Sequence, residues 1–251
     1  MQGETAEGTY FEHLEELRWA LIRSVIAVTL LYPPAFYFSD SLIKLMVSRL
    51  CPSHLSLHYF SPIEPFLVKL KIALFLSVFL ALPYIFRQVW RFVSPGLYHR
   101  EKLAGAGVLL SSSVLSLAGA AFAVFLIIPF VMSFSLSFET PYLKAAIGID
   151  NFISLSGTLI IAFAAVFQMP AVILVLVFTG LVSIDRLKSA RAFALVIIMI
   201  ISAILTPPDV VSQLMMGIPT YLLFELGILV AGIFAGSGVR RNENQVEKKV
   251  D

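Results

Sequence analysis

PYIFRQVWRFVSPGLYHREK, residues 83–102, is where an apolar run ends in a belt of aromatics and arginines. The stretch turns at SPGLY and delivers one acid, Glu101, between Arg100 and Lys102. That is the profile of a helix leaving a bilayer on its basic side, with a carboxylate held at the surface. A second acid, Glu16 of HLEELR, stands just before the first apolar run. Two carboxylates at one membrane edge, ringed by arginine, form a set able to grip a cationic peptide.

Composition agrees with a membrane chain. Of 251 residues, 59% are hydrophobic and only 14% charged, and the mean hydropathy is +0.90. Soluble domains carry roughly 25% charged residues. A net charge of +2, with its bases scattered at the edges of apolar runs, excludes a nucleic-acid surface. One cysteine, Cys51, leaves no internal disulfide and no cysteine-based metal site. The acid-rich first eighteen residues lack an apolar core, so a cleaved secretory signal is not expected.

Gaps between charges delimit the spans, since a bilayer core asks for about 20 apolar residues per helix. The first run is 19–38 and the second 66–92. No formal charge falls between Lys102 and Glu139, or between Asp150 and Asp185. Those gaps hold a third span at 104–134 and a fourth at 151–180, both long enough to tilt or project. The last two runs are short: 192–205, and a sixth from Val211 to about Phe224, before Glu225, whose helix is carried to 235. One domain of six spans, residues 1–236, and a disordered tail at 237–251 are therefore expected. With six spans, 13 of the 18 lysines and arginines share the side of both termini, which makes that side cytoplasmic.

Chemistry inside this frame is sparse. His54 and His58, spaced by four, suit zinc only if a third ligand exists; none is nearby, so surface histidines are expected. SDSLIKLMVSRL (39–50) reads as an amphipathic helix lying on the outer face. All four histidines fall outside the spans, there is no HExxH and no phosphate loop, and no enzyme, cofactor or metal is expected. Gln168 lies within the fourth span, two residues before Pro170. An amide there needs partners or water, as a groove contact or as interhelical packing. Thr206 and Gln213 flank the TPPD turn, either as a cluster for another polar-bearing helix or as satisfaction of the turn itself. Glu225 reads as a snorkelling acid or a site.

HLEELR (13–18), SPIEPF (61–66), the 83–102 stretch, FQMP (167–170), and LTPPDVVSQ followed by IPTYLLFELG (205–227) resemble, in order, the TatC family. TatC is the multispanning receptor subunit of the twin-arginine protein translocase. The likeness covers roughly residues 10–236. It implies a curved, glove-shaped, all-α bundle of six helices in a bacterial or archaeal cytoplasmic membrane. It further implies binding of twin-arginine signal peptides, partnership with TatA- and TatB-type single-span subunits and further copies of itself, and transport of folded proteins driven by the proton-motive force. Glu16, Arg18 and Glu101 match the signal-binding positions, and Thr206 and Gln213 the docking positions for partner helices. Asp209 and Glu225 match family acids of less defined role. At Gln168 many relatives carry glutamate. The alternative from another class is a small secondary transporter or channel with Gln168 as its polar site; it lacks internal repeats and paired broken helices.

Overall fold

The computed structural model describes residues 4–51, 57–93, 102–142, 144–178, 180–206 and 210–247. Among them the chain is helical apart from turns, short extended stretches and isolated bridge residues, of which His58 and Gly148 pair with each other. The helices are α1 Glu4–Tyr37, α2 Ser39–Leu50, α3 Glu64–Val93, α4 Lys102–Phe122, α5 Ile128–Leu136, α6 Ile149–Val166, α7 Met169–Phe178, α8 Ile184–Ser189, α9 Arg191–Leu205 and α10 Val210–Glu247. Five stretches are long and apolar enough to cross a membrane: Leu14–Tyr37, Glu64–Arg91, Ser111–Leu136, Ile149–Val177 and Val210–Ile233. The shorter α9 has 15 residues, about 22 Å at the helical rise.

Pro33, Pro34, Pro83 and Pro219 stand inside unbroken helices, whereas two other prolines mark departures from α geometry. Pro129 has no N–H, and its ring crowds the carbonyl four residues back, at Phe125. The chain answers with a π-helical segment, Ala123–Ile127, joining α4 to α5. The fourth span, expected at 151–180 with a weak point at Pro170, crosses as Ile149–Val177 but is broken within. Pro170 crowds Val166, and α6 stops at that residue; α7 restarts at Met169. Its first bond runs from the Val172 N–H to the Gln168 carbonyl at 2.9 Å. At the other end of α7, Gly180 adopts φ +71°, a left-handed value that glycine takes without a Cβ clash, and the Val182 N–H closes back on Leu176 O.

The sixth span, carried to 235 by the sequence, does not pause before Glu225, where its apolar run is expected to end. α10 passes Glu225 without a break, and its apolar stretch of 24 residues reaches Ile233. Glu225 fails to end it because the carboxylate is partnered, by Arg191 Nη2 at 2.8 Å and the Tyr221 hydroxyl at 3.0 Å. The helix continues to Glu247, into residues expected to form a tail, with no proline after Pro219 to interrupt its ladder.

The chain divides into two compact units, residues 1–165 and 166–251. In the first, α1 and α2 pack along α3, and α3 along α4. Two glycines let its helices approach closely. A Cβ on Gly119 of α4 would lie 2.8 Å from the Phe163 carbonyl carbon and 2.9 Å from Ala164 Cα, and one on Gly157 would meet the Phe75 ring. Acids and lysines secure one end of this unit. Glu64 Oε2 accepts from the N–H of Phe60 (2.7 Å) and of Ser61 (3.2 Å), and its Oε1 accepts from the Asp150 N–H (3.3 Å). Lys71 donates to Asp150 (2.7 Å) and Ser154 (3.1 Å), and Lys69 to Asp40 (2.8 Å). In the second unit α10 packs on α7 and α9 around Ile173, Ile198, Phe224, Ile228 and Ala231.

Candidate functional site: an acid-rimmed cleft

On an α-helix, residues three, four and seven apart share a face. Glu16, Trp19, Ala20 and Arg23 have that spacing on α1, and Gln88 and Arg91 have it on α3. Where the start of the first span meets the end of the second, these side chains and Glu15 line a cleft of about 330 Å³. It offers two carboxylates, which only accept hydrogen bonds, and two guanidiniums, which only donate. The Trp19 indole supplies an apolar wall, and Gln88 is the one carboxamide among the described lining residues. Arg23 and Arg91 are solvent-exposed, as are Glu15 and Glu16, so charges of both signs stand at the rim. Gln88 is 7% exposed.

The sequence-predicted residues fall out unevenly. Glu16 is in the cleft. Arg18 is on α1 but not in the lining; its guanidinium pairs with Glu15 at 3.4 Å, both partners more than half exposed, a bond worth little. Glu101 and Asp209 lie outside the described residues, as does His54. Glu15, Trp19 and Gln88 are the residues sequence reasoning did not select. Stepping along α1 from Glu16 at helical spacing would have found Trp19, and Gln88 is the only uncharged amide in the basic belt.

The Thr206 and Gln213 pair is turned inward. Thr206 is buried, and its hydroxyl donates to Ser202 O at 2.8 Å. Gln213 Nε2 donates to Met199 O at 3.0 Å. Both side chains thus serve backbone carbonyls three residues apart on α9, and the Gln213 bond ties α10 to α9. Gln168 sits at the break between α6 and α7 and is 1% exposed. Glu225 is no simple snorkelling acid: it is held by Arg191 and Tyr221. No group of three metal-ligating side chains occurs among the described residues. Burial pushes the Cys51 thiol above its ordinary range, away from the reactive thiolate.

Several helices of membrane-spanning length, with an ionisable cleft where two of them end, define a multispanning integral membrane protein rather than an enzyme pocket. The family model described as Sec-independent protein translocase protein (TatC) matches residues 12–219. The TatC of Aquifex aeolicus (strain VF5) is 36% identical over 94% of this chain and 98% of its own length. That of Escherichia coli (strain K12) is 32% identical over 92% and 91%. The Halothiobacillus neapolitanus protein is 37% identical over 92% of this chain, which spans 64% of that longer relative. A crystal structure of the twin arginine translocase receptor TatC superposes with a TM-score of 0.79 at 36% identity, covering 88% of this chain and 98% of that one. The chain belongs to the TatC family of Sec-independent protein translocase proteins, and is a translocase component rather than an enzyme.

Proposed function

We propose that this chain is a receptor that binds twin-arginine signal peptides at the cleft between α1 and α3. With TatA- and TatB-type single-span subunits and further copies of itself, it passes folded proteins across the cytoplasmic membrane, driven by the proton-motive force. The observation that carries this reading is the cleft: Glu15 and Glu16 stand in one cavity with Arg23, Gln88 and Arg91. A planar guanidinium fits a carboxylate through two parallel bonds, whereas an ammonium offers a point charge. Acids at a partly desolvated edge therefore favour a pair of arginines over general positive charge. Once a bound peptide covers the rim and excludes water, each charge-assisted bond contributes roughly 1.5–3 kcal/mol. Arg23 and Arg91 repel cationic peptides that miss that geometry, so attraction and rejection both contribute to specificity. Family resemblance makes Glu101 the second reading acid, beside Glu16.

The same reading has six spans, α9 being the short one, with both termini cytoplasmic. A cleft shared by the start of the first span and the end of the second favours one side for the N-terminus and the basic 87–102 turn. Thr206 and Gln213 mark the docking face for a partner helix beside α9, where Gln213, its Nε2 held by Met199 O, keeps its Oε1 as an acceptor. Cysteine at 213 then forms a disulfide with a cysteine near the outer end of a TatA- or TatB-type helix, and crosslinks confined to α1 and α4 would refute that docking face.

The central test is peptide binding by the full chain in detergent. A labelled signal peptide with an arginine pair is retained, and its lysine-pair counterpart is retained poorly. Glu16→Ala weakens retention markedly and Glu101→Ala abolishes it. Wild-type retention by a Glu16→Ala, Glu101→Ala double variant would refute the assignment.

A further inference from the structure

Gln88 is more than nine-tenths buried as a residue, yet it lines the cleft, and its carboxamide is not among the buried unpaired polar groups of the described residues: the amide reaches the cleft itself. An amide that opens on a cleft keeps its hydration until a ligand covers it, and that ligand must then satisfy it, because leaving it unpaired costs much of the lost hydration. It stands out among the lining residues for a second reason. Carboxylates accept, guanidiniums and the indole N–H donate, and only the carboxamide presents a donor and an acceptor side by side. A ligand guanidinium has donors alone and would leave the Gln88 amino group unpaired. A peptide main chain has a carbonyl and an N–H in adjacent positions and satisfies both ends at once.

We infer that Gln88 reads the main chain of the bound peptide. Its Nε2 donates to a peptide carbonyl and its Oε1 accepts a neighbouring peptide N–H, while the acids of the rim take the arginine side chains. Charge is then recognised by Glu15 and Glu16, and register by Gln88. The inference rests on the cleft being the signal-peptide site, and it adds a specificity-determining residue to that site. It also explains why a neutral side chain stands among four charged ones. A third acid there would strengthen the pull on any cation, whereas an amide selects a backbone held at one height in the cleft.

The test uses the full chain in detergent and four forms of one labelled twin-arginine peptide. One is unmodified, and three carry a single amide-to-ester replacement at successive bonds flanking the arginine pair. Each ester removes one N–H donor and leaves the side chains alone. With wild-type protein, one of the three is expected to bind roughly five- to thirty-fold more weakly, the loss of one net buried hydrogen bond. Gln88→Met, similar in length and without hydrogen-bonding groups, is expected to weaken the unmodified peptide by a comparable factor and to be indifferent to that ester. Arginine-over-lysine preference is expected to survive in this variant.

Three results overturn the inference: no ester matters to the wild type; Gln88→Met binds the unmodified peptide as the wild type does; or the variant loses its arginine preference, which would give Gln88 a side-chain role. The first needs no variant, so it stands even if Gln88→Met folds poorly. A wild-type chain that fails to prefer arginine would instead refute the parent reading.

Discussion

Three glycines give a graded prediction about packing, with a sign change that no composition argument supplies. A methyl group added to Gly119 meets the Phe163 carbonyl carbon at 2.8 Å and Ala164 Cα at 2.9 Å, both backbone atoms with no rotamer to escape into. α4 and α6 must then move apart, and overpacking of this kind costs about 1–3 kcal/mol. Alanine also lowers the entropy cost of helix formation by roughly 0.5–1 kcal/mol relative to glycine. Taking the upper end for a backbone collision, Gly119→Ala is expected to destabilise by about 2 kcal/mol.

At Gly157 the same methyl meets the Phe75 ring, with Cγ at 2.7 Å. Phe75 is only half-buried and has somewhere to go, so a cost near 1 kcal/mol is expected. Gly232 in α10 has nothing within 4 Å, and there only the entropy gain of about 0.5–1 kcal/mol remains. For a chain of this length each kcal/mol shifts the melting temperature by about 2–4 °C. Detergent-purified variants, heated and assayed for the remaining folded peak by size-exclusion chromatography, should therefore order as Gly232→Ala above wild type, then Gly157→Ala, then Gly119→Ala. Gly119→Ala melting at or above wild type would show that the close approach of α4 and α6 is not a real constraint.

Glu64→Gln keeps one carboxylate-like oxygen but cannot accept from Phe60, Ser61 and Asp150 together with full charge; a loss of about 1–2 kcal/mol is expected, seen as a lower melting temperature and faster proteolysis near residues 58–61. Equal melting and cleavage would make the clasp ornamental. Gln168→Leu is expected to retain signal-peptide binding and to impair transport of a folded reporter, whereas Gln168→Glu supports both, because a polar group at the α6–α7 break is kept. Full transport by the leucine variant would reduce Gln168 to packing.

Much was legible in the order of residues because lipid is so exacting a solvent. Backbone groups in hydrocarbon must bond within their own helix, so apolar runs of bilayer length read directly as spans. The uncharged gaps at 103–138 and 151–184 and the aromatic-basic ends of the runs are of this kind. Glu16 was legible too, as an acid beside an apolar run, and the spaced motifs carried the family. Pro170 marked a weak point in the fourth span, although only the folded structure shows the helix stopping at Val166 and restarting at Met169.

What tertiary structure alone decided is which polar groups find one another. A charge in the sequence looks like the end of a span, yet α10 runs through Glu225 because Arg191, 34 residues earlier, neutralises it. Thr206 and Gln213 look like offered groups until Ser202 and Met199 present the carbonyls they bond. Gln88 gains its meaning from Glu15 and Glu16, more than 70 positions away and brought to the same cleft by the packing of α1 on α3. Spans follow from transfer between water and lipid, a property each segment carries by itself. Pairings between segments depend on the relative placement of whole helices, which local sequence does not encode.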